Sequence, residues 1–557
     1  MLKQTKGNRA YRIFDFLHRH IIIIIIAVVV LAGAVSTVAI VRGGGVSESR
    51  NTQQVEYQPM KTVYLAMDRV ETLNPLVSSD SDVFYISQLV YSSLFRLDEN
   101  LNIEPDLVKS YKTSPSEGSV SIKLRQDVKF SDGSSLTAAD VSYTVNRILS
   151  IGSDSPYYAY VSKIRSVYTS GTYSLTITFE SPADAALDNL VFPIVSRTDY
   201  SDSSNKVLGS GPYRFGSYDS TRELNLKPNK CYYGEAAQNN LQFKVVSDKS
   251  KTTGLMTMEA ITAYVSRDQD ADADAEDKDL QVTGISSGEM EYLAFNFKNK
   301  ALEKKEVRQA IAKAIDTESL IKDNYGGAGI QSDSVYFPGF LGTENQGDAY
   351  ALDQKKAAEL MAEAGYRDTN EDGILEDEKG KKLTLTILVN RNNSSRTDSA
   401  GFISDALEEI GIKTTVKSLS WADYKQAIED GEFDLYLGGY KFDKKSNLRT
   451  MFKSGNAISY KNTQVRSLVN QLETCLSAKK QKAVYEELKP LLTEELPYYC
   501  LLYKTYAFIT VPQFTSEELP TFFDIYRGCG SWQWNKTVTI EAEDSETSES
   551  GEGAEKN

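Results

Sequence analysis

The sequence predicts an α/β protein of several domains, preceded by one N-terminal transmembrane helix. Its 557 residues are too many for one ordinary unit, since roughly 150 residues per domain gives three or four. From Lys61 onward, alternating strand patterns interleave with short amphipathic helical ones. Ahead of them, residues 21–41 read IIIIIIAVVVLAGAVSTVAIV, a run without a charge. Hydrophobic residues are 41% of the chain and charged residues 25%, a globular balance rather than a fibrous or disordered one.

The elements follow in order. Residues 1–20 carry Lys3, Lys6, Arg9, Arg12 and Arg19 against the single acid Asp15. The run 21–41, at about 1.5 Å per residue, makes roughly 30 Å of helix, enough to cross a bilayer core. The basic cluster stays cytoplasmic and places the remainder outside, so the expected location is the cell membrane, single-pass, with the main body extracellular. Leu31-Ala32-Gly33-Ala34 has the outline of a lipoprotein box, but alanine stands where the lipidated cysteine would be, which excludes acylation there. Ala32 and Ala34 also fit a signal-peptidase site whose use, after Ala34, would secrete the protein. Because the apolar run continues past Ala34, an uncleaved anchor is expected. Residues 43–58 read as a flexible linker.

KTVYLAM (61–67) opens the folded part as a strand. SVSIKLRQDVKF (119–130) and TYSLTITFE (172–180) alternate as half-buried strands. Thr137-Ala138-Ala139-Asp140 is a capping box, opening a helix with Val141, Val145, Ile148 and Leu149 on one face. Residues 268–279, DQDADADAEDKD, read as a solvated loop. LEKKEVRQAIAKAI (302–315) reads as one helix, with Val307, Ile311, Ala314 and Ile315 at helical spacing. Residues 354–364 and 398–410 are two more amphipathic helices, stopped by Gly365 and Gly411. Strands LTLTILV (383–389) and IKTTVKSL (412–419) flank the second helix, an order that argues βαβ units. Residues 541–557, EAEDSETSESGEGAEKN, have no apolar period and read as a disordered acidic tail.

Composition excludes several functions. The formal charge is -15, and without residues 1–42 the 56 basic and 76 acidic residues left give -20, so nucleic acid is not an expected partner. The two histidines, His18 and His20, precede the apolar run. Everything beyond lacks an imidazole base, a Ser-His-Asp triad, a Cys-His pair or a zinc site of the usual kind. Cys231, Cys475, Cys500 and Cys529 have long, irregular spacings without Cys-x-x-Cys; free thiols and one or two disulfides both stay open. The turn from Asp368 through Asn370 and Asp372 to Gly373 imitates half an EF-hand loop, but its twelfth position is Lys379 where a bidentate glutamate is needed. Gly209-Ser210-Gly211-Pro212-Tyr213 precedes a strand, not a helix, and reads as a backbone corner rather than a phosphate cradle. No metal and no cofactor are expected.

Six segments together resemble a known family. LVYSSLFRLDENLNIEPDLVKSY (89–111), KLRQDVKFSDGSSLTAADVSYTVNRIL (123–149), GSGPYRFGSY (209–218), EYLAFNFKNKALEKKEVRQAIAKAID (291–316), KAAELMAEAGY (356–366) and GEFDLYLGGY (431–440) occur in the order and spacing of the family-five solute-binding proteins of ABC importers, the oligopeptide, dipeptide and nickel receptors. The resemblance covers roughly residues 60–510. It implies a periplasmic-binding-protein-like two-lobed (type II) fold with an additional inserted β-rich domain. Carried onto this chain, lobe I is 59–82, 190–290 and 501–540, the inserted domain is 83–189, and lobe II is 291–500. The crossings between lobes fall near 289–297 and 498–506. It further implies an extracellular receptor, not an enzyme, that closes on a peptide or similar small solute and delivers it to ABC permease and ATPase subunits. An anchored sensing module and a secreted hydrolase are the alternatives.

The same resemblance suggests binding residues. Peptide-binding members hold the peptide amine with an aspartate in the loop after the strand FDLYLGGY; here Tyr440 falls near that position, and Asp443, followed by Lys444 where the family has proline, matches the next acid. Arg391 lies near the family's carboxylate-binding arginine, with Arg396 as competitor. Asp68 and Arg69 follow the first strand toward the cleft edge. Trp421 opens a helix and is expected to pack rather than stack on a ligand.

Overall fold

The computed structural model describes residues 54–204, 207–268, 271–442 and 448–540. Gln58–Lys536 forms one compact unit; of the other unit only strand residues 54–57 and 537–540 are described. The apolar run 21–41, most of the linker and the acidic tail lie outside the described residues, and among those described no helix is long and apolar enough to cross a membrane. The linker reading needs one correction, because Gln54–Met60 is a strand.

Two unusually long strands organise the unit. Gln281–Phe295 and Tyr498–Thr510 pair antiparallel along their length. At one end Tyr498–Thr510 also pairs with Ala263–Ser266; at the other, Gln281–Phe295 pairs with Leu435–Lys441, which continues into the parallel strands Thr384–Asn390 and Lys413–Leu419. Both faces of this sheet are covered. Leu293, Phe295, Leu385, Ile387, Leu435 and Leu437 enter one buried cluster, while Tyr292, Ala294, Leu388 and Tyr436, one residue out of step, enter the other. A strand with a core on each face is apolar at successive positions, which is why LYLGGY and YYCLLY do not alternate.

The βαβ reading holds: Thr384–Asn390 and Lys413–Leu419 are parallel neighbours joined by the helix Ser394–Glu409. That helix starts four residues before the sequence pattern does, because Asn393 caps it by accepting the Arg396 N–H at 3.0 Å. The helix read over 302–315 is shorter, Lys305–Ala314. A second sheet orders Thr62–Met67, Asn240–Val245, Glu223–Pro228 and Tyr213–Asp219, its first pair parallel. A third, wholly antiparallel, comes from residues 108–179. Beside it Ala138–Ile151 begins with the Asp140 carboxylate accepting the Thr137 N–H and hydroxyl. Gly209 and Gly211 form the expected corner, where a Cβ on either would run into the backbone ending the helix Ser81–Val90. The acidic stretch 268–279 is not all loop. Ala271–Glu276 is helical, and Ala271 and Ala275, four residues apart, share its buried side. All four cysteines are thiols, with Cys500 and Cys529 buried.

One buried carboxylate works against the fold. Glu473 closes the helix Thr463–Glu473, and its Oε1 accepts the N–H groups of Leu448 (2.7 Å) and Arg449 (3.1 Å). Oε2 is buried without a hydrogen bond, with Arg449 Nε at 3.8 Å. Burial, with the like charge of Asp188 adding, outweighs these contacts and pushes the carboxyl pKa up to about 8. The unfolded chain gives up this proton near the ordinary 4.5, so stability falls as pH rises from there toward 8. Glu473→Gln keeps an acceptor for both N–H groups and removes the titration. Denaturant unfolding should find it more stable than the parent by on the order of 1–3 kcal/mol at pH 8, with the gap closing toward pH 5. A gap that does not change with pH would show that Glu473 is not the titrating group.

Candidate functional site

The long strands are not paired evenly. Gln281–Ser286 matches Thr505–Thr510 and Met290–Ala294 matches Tyr498–Tyr503, leaving Ser287, Gly288 and Glu289 bulged opposite Lys504. Gly288 is required there, since a Cβ would meet the Phe442 carbonyl and the Phe522 ring. The bulge turns Glu289 and Lys504 toward a cavity of about 330 Å³, whose walls also include Arg267, Asn392, Asn393, Ser394, Ser395 and Tyr506. The four residues from Asn392 to Ser395 lead into the helix Ser394–Glu409 and present its first turn to the space.

Charges around this cavity form a connected set. Glu291 is 2% exposed, and its carboxylate accepts from Arg396 through Nε (2.5 Å) and Nη2 (3.0 Å), with Lys504 Nζ at 3.1 Å. Lys504 also lies 3.8 Å from Glu289, which accepts from Lys441 at 2.9 Å and from the Tyr506 hydroxyl at 3.2 Å. Burial alone would raise the Glu289 pKa; the two lysines and the tyrosine outweigh it and hold the carboxyl below its ordinary range. For Arg396 burial opposes the charge, and Glu291 more than restores it. Arg267, also in the wall, donates to the Tyr85 hydroxyl at 2.8 Å and lies over the rings of Tyr85 and Tyr506, 5.6 and 5.5 Å from their centroids.

The Gly-Gly pair of GEFDLYLGGY has a packing cause. Gly438 leaves room for the Tyr292 ring, and Gly439 lies where any side chain would occupy the Arg396 guanidinium. Arg396 reaches Glu291 across the strand only because residue 439 has no Cβ.

Sequence reasoning placed the site's strands better than its side chains. Arg391 is exposed, and its N–H donates to Leu419 O at 2.9 Å; it adjoins the cavity wall without lining it. Its competitor Arg396 is the one drawn into the charged set. Tyr440 packs edge-on against Phe442, and Asp443 lies outside the described residues. Asp68 sits 3.5 Å from Lys249, and Arg69 is exposed; neither lines this cavity. Trp421 is 51% exposed and stacks on Tyr424. Arg267, Glu289, Glu291, Lys504 and Tyr506 were not singled out. The signal for three of them was present, because Glu289, Glu291 and Lys504 are charges inside otherwise apolar strands, and such charges need partners. In the turn 368–376 the carboxylates of Asp368, Asp372 and Glu376 lie within 4.8 Å of one another, and the loop's own donors occupy them: Lys382 on Asp372, and Thr369 and Asn370 on Glu376.

With this geometry in hand, comparison with known proteins is informative. Residues 102–459 match the family described as bacterial extracellular solute-binding proteins, family 5. The chain belongs to that family. The oligopeptide-binding protein AppA of Bacillus subtilis is 26% identical over 457 residues, 77% of this chain and 83% of that protein. The glutathione-binding protein GsiB of Salmonella typhimurium is 24% identical over 453 residues, 77% and 86% of the two chains. Among solved structures, a nickel ABC transporter protein from Bacillus halodurans superposes with TM-score 0.72 at 18% identity, covering 84% of this chain and 98% of that one. An ABC transporter substrate-binding protein from Sinorhizobium meliloti gives 0.71 at 18% identity, covering 86% and 100%. Both share the two-lobed α/β fold.

Gly439→Ala should displace the Arg396 guanidinium from Glu291 and cost on the order of 1–3 kcal/mol in denaturant unfolding, less than removing one partner of a buried ion pair because Lys504 stays on Glu291. Gly401→Ala, in the helix Ser394–Glu409 with open space around its Cβ position, should be neutral or stabilising by up to about 1 kcal/mol. Equal unfolding midpoints for the two would refute the packing role of Gly439.

Proposed function

We propose that this family member captures a peptide or similar small solute in the cavity beside the crossing strands and passes it unaltered to an ABC permease and its ATPases. The lobes would be 59–82 with 190–290 and 501–540, and 291–500, with 83–189 inserted; residues 21–41 would hold the body at the outer face of the cell membrane. The observation that carries this reading is that Arg267 and the Asn392–Ser395 turn, which belong to different lobes in this reading, line one cavity beside the bulge in the only two long strands among the described residues. A solute touching both walls favours the approach of one to the other, and its differential affinity sets how far the balance moves. The named relatives that bind oligopeptide and glutathione support a peptide-like ligand, and Arg267, Lys504 and Glu289 offer one anionic and two cationic anchors.

Mass spectrometry of small molecules released from the purified protein should identify a peptide-like compound. Calorimetry with that compound should show Arg267→Ala weakened about tenfold or more, with Arg391→Ala and Asp443→Ala testing the positions that the family resemblance suggests. Parent-like affinity in all three variants would remove the site assignment, and chemical conversion of the compound by the protein would remove the receptor reading.

A further inference from the structure

A second, larger cavity of about 630 Å³ is lined in part by the helix Ser81–Val90. Tyr85 of that helix contacts Arg267 of the first cavity, whereas Phe84, Ser87 and Gln88 line the second. Its walls carry eight carboxylates and two arginines, without a lysine. Both arginines are already engaged, Arg96 with Glu104 at 3.1 Å and Arg527 with Glu99 at 2.8 Å and Glu518 at 3.5 Å. Five carboxylates of the wall are left without an ion pair among the described residues.

The deepest of them is Asp524. Its Oδ1 accepts the Tyr526 N–H at 3.2 Å, and no hydrogen bond among the described residues reaches Oδ2. Burial, against the opposing pull of its own N–H contact and of Arg527, lifts its pKa to about 6. Asp106 also lines it, held by the Ser93 N–H and the Tyr233 hydroxyl, with burial raising its pKa as well. Tyr157, Tyr232 and Phe523 give the walls aromatic faces. The space is far larger than a bare metal ion fills, and among the described residues no three of its acids converge closely enough to hold one. Separated carboxylates with aromatic walls suit a chain that bears several positive charges joined by methylenes.

We propose that this cavity binds an aliphatic polyamine, with one ammonium on Asp524 and the chain running past Glu235. This site shares no lining residue with the solute cavity.

The test is calorimetry of spermidine with the full-length protein at pH 7.5, at low and at physiological salt. Saturable binding is expected, weakened about tenfold by Asp524→Asn and severalfold by the exposed Glu235→Gln. Glu71→Gln, which removes one charge from an exposed residue that does not line the cavity, should leave affinity unchanged and so separates a site from general attraction to an acidic protein. Trilysine as a second probe distinguishes a free polyamine from the side chains of a basic peptide; tighter binding of trilysine than of spermidine overturns the ligand class. Absence of saturable spermidine binding, equal weakening by Glu71→Gln and the cavity variants, or parent-like binding in Glu235→Gln and in a folded Asp524→Asn overturns the site.

Discussion

The geometry at the centre of this protein depends on keeping charge inside a sheet. Glu291 sits in a strand with a core on each face, 2% exposed, where an unpaired carboxylate would cost several kcal/mol. Three separate parts of the chain meet that requirement. The helix Ser394–Glu409 sends Arg396 across, the strand Tyr498–Thr510 supplies Lys504, and Leu435–Lys441 gives up its side chain at Gly439 so that the guanidinium can pass. Replacing the whole set with hydrophobic residues of similar volume need not lower stability. What the ions fix is position, because a two-point Arg–carboxylate contact tolerates little rotation. They therefore tie the first turn of the helix Ser394–Glu409 to the strand that carries the bulge at Ser287–Glu289, and the cavity is lined from both.

The two-sided sheet also explains what could be read from the sequence. Strands with one solvent face, such as Ser119–Leu124 and Ser174–Phe179, alternate in burial and were legible from period alone. Helices with strong caps were legible too, as with Thr137 and Asp140. The two long strands were expected as lobe crossings only through family resemblance, since their continuous apolar runs do not reveal which face meets which core. The start of the helix Ser394–Glu409 was missed because Asn393, Ser394 and Ser395 suit a loop as readily as a cap, and the choice is settled by tertiary contact.

The site residues were harder for a related reason. Arg391 and Arg396 are five positions apart on a turn leading into a helix, and sequence cannot say which of them faces inward. Burial decides it: Arg396 lies beneath the strand at Gly439, while Arg391 ends at the sheet edge beside Leu419. Two glycines in GEFDLYLGGY look like a turn signal and in fact mark close approach, by the Tyr292 ring and the Arg396 guanidinium, within a continuous strand. The acidic stretch before Gln281 shows the converse. Its charge suggests solvent, yet the alanines at 271 and 275 carry the packing.

If the first cavity takes the solute, as proposed, this arrangement constrains how the solute gains affinity there. The charges there are already paired: Glu289 with Lys441 and Tyr506, Lys504 with both glutamates, and Arg267 with two tyrosines. An entering carboxylate or amine exchanges one partner for another and gains little net Coulomb energy, so its charges contribute mainly to orientation and to rejecting wrong solutes. Net affinity must then come chiefly from contacts that exist only when both walls are in reach, those of Arg267 among them. These are also the contacts that shift a conformational balance, because a contact made equally in two states shifts nothing. A paired, pre-positioned ion set is thus suited to a receptor that accepts varied solutes of one general shape, with closure rather than the ion pairs distinguishing an occupied site from an empty one.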